Sequence, residues 1–506
     1  MIYKANMTKN NILWLIGISI ISLILFLFFR LYRLNEIPVF VDEAIYVRWS
    51  QVMRSEPTLR FLPLQDGKQP LFMWTTIPFL KLTSDPLIAG RLLSVVAGLG
   101  SLIGVGVLAY VLFAEVYIAL FSSFLYAIIP FTMFFDRMAL ADSLLAMFGI
   151  WSLIFAIKFV KTLQIEYAMY LGFAIGGGLL TKSPASVYYV WVIVTALFFL
   201  DFKKLKLTTL ARLLWGLFLA LVISQAMYNV LRLGVGFQMI GTRNGDYVYT
   251  VKEVLSHPTV PLIENLQKTG NWLFLLLTPT VLLLGVLGYL NSQTRRSYLF
   301  LILVSLLPLL FQAAIARVYT SRYILYTTLP LIPIAGLGLH WLFSRKGLLI
   351  KASIIIFISV PLIITFVYLL KPTAAPMSFD MRSGYLEEWT AGYGQKEIAT
   401  YILNEEANGN KVVVFTEGFF GTLPDGLQIY TEGHKNITIV GSDPHNTEIP
   451  SGLLNTSKDN LRFYIINASR NKLPASEMAK LELIKEYPKS ARLDGTHESL
   501  LFFRLK

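Results

Sequence analysis

Cysteine is absent from the 506-residue sequence, which excludes disulfides, thiolate metal sites and cysteine nucleophiles. Charged residues are scarce: they make up 15% of the chain, whereas hydrophobic residues make up 55%. That balance excludes an ordinary soluble domain. The chain also lacks an evident internal repeat, and its five histidines form no closely spaced ligand set. Long apolar runs are what the sequence has in abundance.

These apolar runs predict a membrane protein, because a helix of roughly 17–25 mostly apolar residues crosses a bilayer. We expect the first run to be a retained span, since it is too long for a signal peptide and no small-residue cleavage site follows it. The sequence therefore predicts a polytopic α-helical protein with about 11 transmembrane helices within residues 1–370. The predicted spans are 12–29, 92–113, 116–135, 138–157, 167–180, 183–200, 213–230, 272–290, 297–316, 323–343 and 352–370.

The formal net charge of +13 follows the predicted topology rather than indicating a nucleic-acid partner. With the N-terminus and Lys4 in the cytoplasm, most basic clusters between spans fall inside, including Lys203 and Lys204. We therefore expect an integral plasma-membrane protein with this orientation. Seven basic residues still fall outside, and their density indicates that they serve something anionic there: Arg30, Arg33, Arg48, Arg54, Arg60, Lys68 and Arg91.

The composition changes after residue 370, where charged and turn residues become frequent. A helix-like segment, 394–403, precedes five short β-like runs. This pattern predicts a soluble α/β domain over residues 371–506, on the exoplasmic side. The segment 384–394, with three glycines and three aromatic residues, suits either a surface near sugars or a packed linker. The five runs are 411–415, 437–440, 462–466, 481–484 and 500–505.

Two adjacent carboxylates, Asp42 and Glu43, open a short amphipathic helix near residues 42–54, just past the first span. Asp42 fits the N-cap position, although the pair could merely begin a surface helix. A second short helix near 70–82 follows Lys68 and is expected to lie along the membrane interface. We therefore expect two juxtamembrane helices around one loop that is rich in charged and aromatic residues.

Other polar residues occur at predicted outer turns. Asp142 begins the fourth span with Arg137 as a plausible partner, and Lys182 lies at a break between spans, where snorkelling is the plainer explanation. Arg243 belongs to the loop 232–271, whose glycines and lack of clear periodicity predict a mobile outer segment of the kind that often acts as a lid. Arg322 and Tyr323 open the tenth span as either an aromatic belt or a phosphate clamp.

These residues favour sugar transfer from a lipid phosphate, because they gather at one membrane face rather than at mid-span. Such a reaction needs a carboxylate to take the acceptor's proton and cations to neutralise the phosphate. The predicted base is Asp42, and Glu43 would orient it or bind acceptor. The donor phosphate is assigned to Lys68, Arg137, Lys182, Arg322 and Tyr323, and acceptor or sugar binding to Asp142 and Arg243.

The chain resembles the polyprenyl-phosphate-sugar-dependent glycosyltransferases of the GT-C membrane fold, in the branch of protein O-mannosyltransferases and the lipid A aminoarabinose transferase. The resemblance covers roughly residues 10–370. It implies an inverting transfer in which Asp42 is catalytic and Lys68 contacts lipid phosphate. The residues that carry it are Asp42-Glu43, Gly67-Lys68-Gln69-Pro70-Leu71, Gly90-Arg91-Leu92-Leu93-Ser94, Asp136-Arg137 with Asp142, Thr181-Lys182-Ser183-Pro184 and Ser321-Arg322-Tyr323.

Several alternatives stay open at this stage. The donor could be an oligosaccharide-diphosphate lipid, and a lipid-linked-sugar flippase is the non-enzymatic alternative, although inverted repeats and broken helices are not evident. A glycan, a lipid or a protein could each be the acceptor. The sequence favours a metal-independent site, and the alternative is a divalent cation held by Asp42, Glu43 and Asp142 if they converge.

Overall fold

The computed structural model describes residues 9–201, 203, 206–290 and 294–506, and the side chains from residue 12 onward within these ranges. Lys4 and Lys204, which entered the orientation prediction, lie outside the described residues. The chain divides into two compact units. The first unit comprises Met1–Tyr32, Phe61–Phe72 and Ser94–Ser378, and the second comprises Arg33–Arg60, Met73–Leu93 and Phe379–Lys506.

Helices dominate the chain up to residue 370. In chain order they are α1 (Lys9–Leu31), α2 (Val41–Ser55), α3 (Leu71–Phe79), α4 (Pro86–Phe113), α5 (Val116–Ile128), α6 (Pro130–Phe135), α7 (Ala141–Thr162), α8 (Ile165–Thr181), α9 (Val187–Phe199), α10 (Leu207–Asn229), α11 (Met239–Tyr247), α12 (Val251–Ser256), α13 (Thr259–Trp272), α14 (Pro279–Gly288), α15 (Arg295–Ile315), α16 (Leu325–Thr328), α17 (Leu331–Phe343) and α18 (Leu348–Leu370).

Six helical segments of the described chain are long and apolar enough to cross a membrane. Two further pairs of helices, bent by 96° and 57°, bring the count to eight if each pair is one span. The predicted number of spans, about 11, is therefore not confirmed. Proline accounts for one of the shortened runs: Pro130 has no N–H to donate and disfavours helix at the preceding residue, so α5 ends at Ile128 and α6 begins at Pro130.

The loop predicted over 232–271 contains three helices, α11 to α13, so the expectation of a loop is wrong, whereas its mobility and its role as a lid stay predictions. A capping box begins α12: the Thr250 backbone N–H donates to the Glu253 carboxylate at 2.7 Å, and the Glu253 N–H donates to the Thr250 hydroxyl at 3.3 Å. Short helices of this kind leave little periodicity for a sequence pattern to reveal.

The second unit contains a five-stranded sheet, which confirms the predicted C-terminal α/β domain. Its strands run in the spatial order β2-β1-β3-β5-β4. β2, β1 and β3 are mutually parallel, whereas β5 is antiparallel to both β3 and β4. The strands are β1 (Val412–Glu417), β2 (Ile437–Ser442), β3 (Leu461–Asn467), β4 (Leu481–Pro488) and β5 (Ser499–Leu505).

Both faces of this sheet bury apolar side chains. Ile398 and Ile402 of α20 (Gln395–Ala407) pack with strand residues on one face, and Leu453 of α22 (Ser451–Leu454) packs on the other. The helices after residue 370 are α19 (Phe379–Arg382), α20, α21 (Asp425–Gln428), α22 (Ser451–Leu454) and α23 (Ala475–Met478). Burial on both faces explains why the strand runs are apolar rather than strictly alternating.

Candidate active site

The start of α2 is held by a buried ion pair within the second unit. Arg91 donates from Nε and Nη2 to the two carboxylate oxygens of Glu43, each at 2.8 Å, and neither side chain is exposed to solvent. The same guanidinium donates to the backbone carbonyls of Leu34, Ile37 and Pro38. A bidentate, hydrogen-bonded pair of this kind fixes both partners in one geometry.

Asp42 lies beside this pair as the second residue of α2 and is partly exposed. The predicted N-cap role of Asp42 is wrong, because the N-cap residue is Phe40. The Phe40 N–H donates to the carboxylate of Glu43 at 3.0 Å, so the neighbouring acid satisfies the helix end. Asp42 still lies in the first turn of α2, where the helix dipole favours negative charge.

Residues 379–506 anchor both ends of α2 within the second unit. Before the helix, the Val41 N–H donates to the Thr390 carbonyl at 3.1 Å. Near its end, the Gln51 amide donates to the Ile429 carbonyl at 2.8 Å, and Arg54 pairs with Glu432 at 2.7 Å. The helix that carries Asp42 is therefore part of the same folded body as the sheet.

Three predicted phosphate-binding residues gather in the first unit. Lys182 Nζ lies 4.3 Å from the ring centroid of Tyr323, and the Arg322 guanidinium carbon lies 5.3 Å from the same ring. Lys182 Nζ also donates to Asp142 Oδ1 at 2.6 Å. Asp142 is buried in the first turn of α7, whereas Lys182, Arg322 and Tyr323 are partly exposed.

The turn between α8 and α9 positions Lys182. α8 ends at Thr181, and the 3-10 turn Ser183–Ser186 begins immediately after Lys182. Gln69 donates from its amide to the Ser183 hydroxyl at 2.7 Å, which links this turn to the segment after Lys68. The predicted break between the two helices is thus confirmed. Lys182 lies between Thr181, the last residue of α8, and Ser183, the first residue of the turn.

Lys68 and Arg243 meet on one carboxylate of the first unit. Asp66 accepts from Lys68 Nζ at 3.1 Å and from Arg243 Nη2 at 2.9 Å. Gly67 makes this approach feasible: its φ is +69°, and a Cβ added there would lie 2.7 Å from the Arg243 Cβ. The segment that contains Gly67 and Lys68 therefore packs directly against α11, which carries Arg243.

Arg137 lies at the end of α1. Its Nη1 donates to the carbonyls of Phe29 and Tyr32 at 2.7 and 2.8 Å, so the guanidinium satisfies the helix C-terminus. The adjacent Asp136 pairs with Arg30 at 3.2 Å, and both side chains are buried. For Asp142, which we paired with Arg137 on sequence grounds, the structure supplies Lys182.

The anionic partners of several predicted outer cations are carboxylates of this chain. The sequence indicated that those basic residues serve something anionic, and it missed the pairs themselves. No local signal could have revealed the partners of Arg30 and Arg91, which are 106 and 48 residues away, whereas Arg33–Glu36 and Lys68–Asp66 are local pairs. The pairs are Arg30–Asp136, Arg33–Glu36, Arg54–Glu432, Lys68–Asp66 and Arg91–Glu43.

The described part of the chain contains no group of three or more His, Cys, Asp or Glu side chains that could hold a metal ion. The two oxygens of Glu43 accept from Arg91, and Asp142 accepts from Lys182. The predicted site residues are thus found in three groups: the start of α2 within the second unit, and two groups of cations within the first unit.

Residues 67–228 match the model of the dolichyl-phosphate-mannose-protein mannosyltransferase family. The matched segment contains Lys68, Arg137, Asp142 and Lys182. No curated protein sequence matches the chain significantly.

Solved structures show the same fold along nearly the whole chain. Crystal structures of ArnT from Cupriavidus metallidurans are similar in the apo state (14% identity, TM-score 0.60, 98% of each chain covered) and bound to undecaprenyl phosphate (15%, 0.56, 97% of this chain and 98% of that one). The oligosaccharyltransferase AglB from Archaeoglobus fulgidus, in complex with an inhibitory peptide and a dolichol-phosphate, is 12% identical with a TM-score of 0.52, covering 98% of this chain and 74% of its own.

At these identities the structural likeness establishes the fold, and the family match carries the enzyme class. Both agree with the resemblance drawn from the motifs, which is confirmed. The apolar helices agree with an integral membrane protein. The chain is a membrane glycosyltransferase with the GT-C fold.

Proposed function

We propose that this enzyme transfers a monosaccharide from a polyprenyl-phosphate donor to an acceptor on the outer side of the membrane, with inversion at the anomeric carbon. The observation that carries the proposal is the gathering of Lys182, Arg322 and Tyr323 beside Asp142. These residues come from distant parts of the sequence, and two cations on one partly exposed surface suit a lipid phosphate. Support also comes from the similar ArnT and AglB structures, which hold undecaprenyl phosphate and a dolichol-phosphate.

In the proposed reaction Asp42 takes the proton from an acceptor hydroxyl or amine as its heteroatom attacks the anomeric carbon. The bond between that carbon and the phosphate oxygen breaks, and its electron pair leaves with the polyprenyl phosphate. Lys182, Arg322 and Lys68 neutralise the charge that develops on the phosphate. Arg137, which caps α1, stays a weaker candidate for this role, and Arg243 and Asp142 keep their predicted roles toward the sugar or acceptor.

Of the two roles predicted for Glu43, orienting Asp42 is the one that its surroundings support. Its carboxylate is buried and holds the forked guanidinium of Arg91, so it would act as a positioning residue rather than touch substrate. Arg91 would act with it for the same reason. This assignment leaves Asp42 as the partly exposed carboxylate of the pair.

The experiment offers radiolabelled polyprenyl-phosphate mannose, arabinose and aminoarabinose to the reconstituted full chain and measures the polyprenyl phosphate released. Asp42→Asn should lower turnover by roughly 10²–10⁴-fold, the usual contribution of a general base. Lys68→Ala should raise the donor KM, and Glu264→Gln, an exposed carboxylate of α13, serves as the control. Near-normal turnover of Asp42→Asn would contradict the assignment.

A parallel arm offers an oligosaccharide-diphosphate lipid. Consumption of that donor and of none of the monophosphate donors would replace the proposal with the diphosphate alternative. Movement of intact lipid-linked sugar between leaflets, without release of polyprenyl phosphate, would replace it with the flippase alternative.

A further inference from the structure

The carboxyl ends of the parallel strands in the second unit bring several polar residues together. β1 ends at Glu417 and β3 ends at Asn467. The order β2-β1-β3 makes the gap between β1 and β3 the switch point, because the connection from β1 to β2 and the connection from β2 to β3 run in opposite directions across the sheet. In open α/β sheets ligands bind outside the carboxyl ends of the strands at such a point.

A buried polar network fills the floor of this switch point. Asn467 donates from Nδ2 to the Glu417 carboxylate at 2.5 Å, and its Oδ1 accepts from Lys489 Nζ at 2.6 Å. Glu498 directly precedes β5, and its Oε2 is buried without a hydrogen-bond partner. Burial raises the pKa of Glu417 despite the hydrogen bond from Asn467, and it lowers the pKa of Lys489 to about 8. These ionisable groups have no role in the transfer chemistry described above.

Aromatic and cationic side chains near Glu417 in sequence or in space reach solvent, and Arg470 Nε lies 4.0 Å from the Glu417 carboxylate. Phe419 and Phe420, in the loop that follows β1, are 69% and 55% exposed. The guanidinium carbon of Arg470 lies 3.7 Å from the ring centroid of Trp389, and both side chains are partly exposed. We name these four residues the aromatic edge of the sheet. Large exposed rings of this kind on a folded domain mark a binding surface.

Glycines set the shape of the loop that carries the two phenylalanines. Gly418 and Gly421 have φ values of +75° and +119°, which a residue with a side chain rarely adopts. The Gly421 N–H donates to the Asp425 carboxylate at 2.6 Å, which closes the loop. The exposed rings are thus held on a fixed turn.

The aromatic edge is adjacent to the start of α2 within the same unit. A Cβ added to Gly421 would lie 3.2 Å from Val41, the residue before Asp42. Thr390, the neighbour of Trp389, accepts the backbone hydrogen bond from Val41. The loop that carries the two phenylalanines and the residue after Trp389 therefore both lie next to Val41, which precedes the proposed base.

From this arrangement we propose that the aromatic edge binds the acceptor, and that the acceptor is a glycan; the inference rests on the proposed function. Sugar rings present apolar C–H faces, which pack on exposed aromatic rings, and hydroxyls, which hydrogen-bond to a guanidinium that Trp389 holds in place. The position next to Val41 would bring the acceptor hydroxyl of a bound glycan toward Asp42. The buried network keeps the two loops of the edge in register.

The test measures binding and transfer with the reconstituted full chain. Saturation-transfer NMR with mannotetraose, and separately with a tetragalacturonate, should detect a glycan contact in the wild type. Phe420→Ala and Arg470→Gln should each weaken binding of the probe and raise the KM for it as acceptor by about tenfold. Slow hydrolysis of the sugar donor in the absence of acceptor should stay at the wild-type rate in both variants. Leu483→Ala, a half-exposed apolar residue of β4, should change neither quantity.

Three outcomes would overturn the proposal: neither probe binds the wild type, the two variants bind and transfer as well as the wild type, or a Ser/Thr-rich peptide pool occupies the edge while the glycans do not. The proposal would also be overturned if Phe420→Ala lost donor hydrolysis to the same extent as transfer to the glycan. The loop would then support the helix that carries Asp42 rather than bind the acceptor. Failure of the proposed function is distinguishable, since it would show as a wild type that consumes no lipid-phosphate donor while the binding results stand.

Discussion

Arg91 and Glu43 form a bidentate ion pair with both side chains excluded from solvent, at the start of the helix that also carries Asp42. Both carboxylate oxygens of Glu43 accept hydrogen bonds from Arg91, and Asp42, one residue earlier, is partly exposed. Desolvation of two charges is costly, and the pair is tolerated because the remaining guanidinium hydrogens meet the carbonyls of Leu34, Ile37 and Pro38. A precise geometry at the start of α2 is what the pair provides.

Breaking this pair from one side should be strongly destabilising. Glu43→Ala leaves the Arg91 charge buried without its partner, and we expect the free energy of unfolding to fall by about 3–5 kcal/mol. The measurement is the midpoint of SDS-induced unfolding in detergent micelles. Glu43→Met combined with Arg91→Met should cost less than Glu43→Ala alone, because no charge remains buried. Arg33→Ala, at the exposed pair with Glu36, should cost at most about 1 kcal/mol. A single variant as stable as the wild type would contradict the prediction.

The Lys182–Asp142 pair should affect donor binding more than folding. Lys182→Met removes a cation from the group around Tyr323, and we expect kcat/KM for the lipid donor to fall roughly 10–100-fold, the value of one charge-assisted phosphate contact. Asp142→Asn should cause a smaller loss, because it keeps a hydrogen-bond acceptor near Lys182. Lys268→Met, on an exposed lysine of α13, is the matched control. An unchanged kcat/KM in Lys182→Met would remove Lys182 from the proposed phosphate site.

Two glycines of the first unit should respond oppositely to the same substitution. At Gly67 an added methyl group meets both the positive φ and the Arg243 side chain, so Gly67→Ala should lower the unfolding midpoint and raise the donor KM through displacement of Lys68. Gly241 lies in α11 with nothing within 4 Å of an added Cβ. Gly241→Ala should therefore stabilise the helix by about 0.5–1 kcal/mol and leave the KM unchanged. Equal effects of the two substitutions would contradict the packing of Gly67 on Arg243.

The lowered pKa of Lys489 predicts that the free energy of unfolding rises at alkaline pH. Burial lowers its pKa from the ordinary 10.5 to about 8, so between these values the unfolded chain holds a proton that the folded chain has released. The free energy of unfolding therefore increases with pH from about 8 to 10.5, by up to about 3 kcal/mol from this group, and this contribution is absent below pH 8.

The measurement is the thermal unfolding temperature of the full chain from pH 8 to 10.5. At each pH the value for Lys489→Met is subtracted from the value for the wild type. We expect this difference to grow as pH rises, whereas Lys480→Met, at a half-exposed lysine of the same unit, should track the wild type. A difference that stays constant from pH 8 to 10.5 would show that Lys489 keeps its ordinary pKa in the folded protein.

Local pattern predicted the elements of the fold well where the pattern was long or clearly bounded. All five β-like runs became strands, and the segment 394–403 became α20. The pattern failed where helices were short, as in residues 232–271, and where proline divided an apolar run, as at Pro130. Hydrophobic periodicity needs several turns of helix before it is distinct, which explains the missed short helices, whereas the break at Pro130 follows from the N–H that proline lacks.

The sequence by itself determined that the chain is a membrane protein, that a small α/β domain follows residue 370, and that acids and cations cluster at turns between apolar helices. Tertiary structure alone decided which charges neutralise one another: Glu43 with Arg91, Asp142 with Lys182, and Asp136 with Arg30. The physical reason is that a buried charge needs a partner in space, and these partners lie 40 to 106 residues away, where no local pattern reaches.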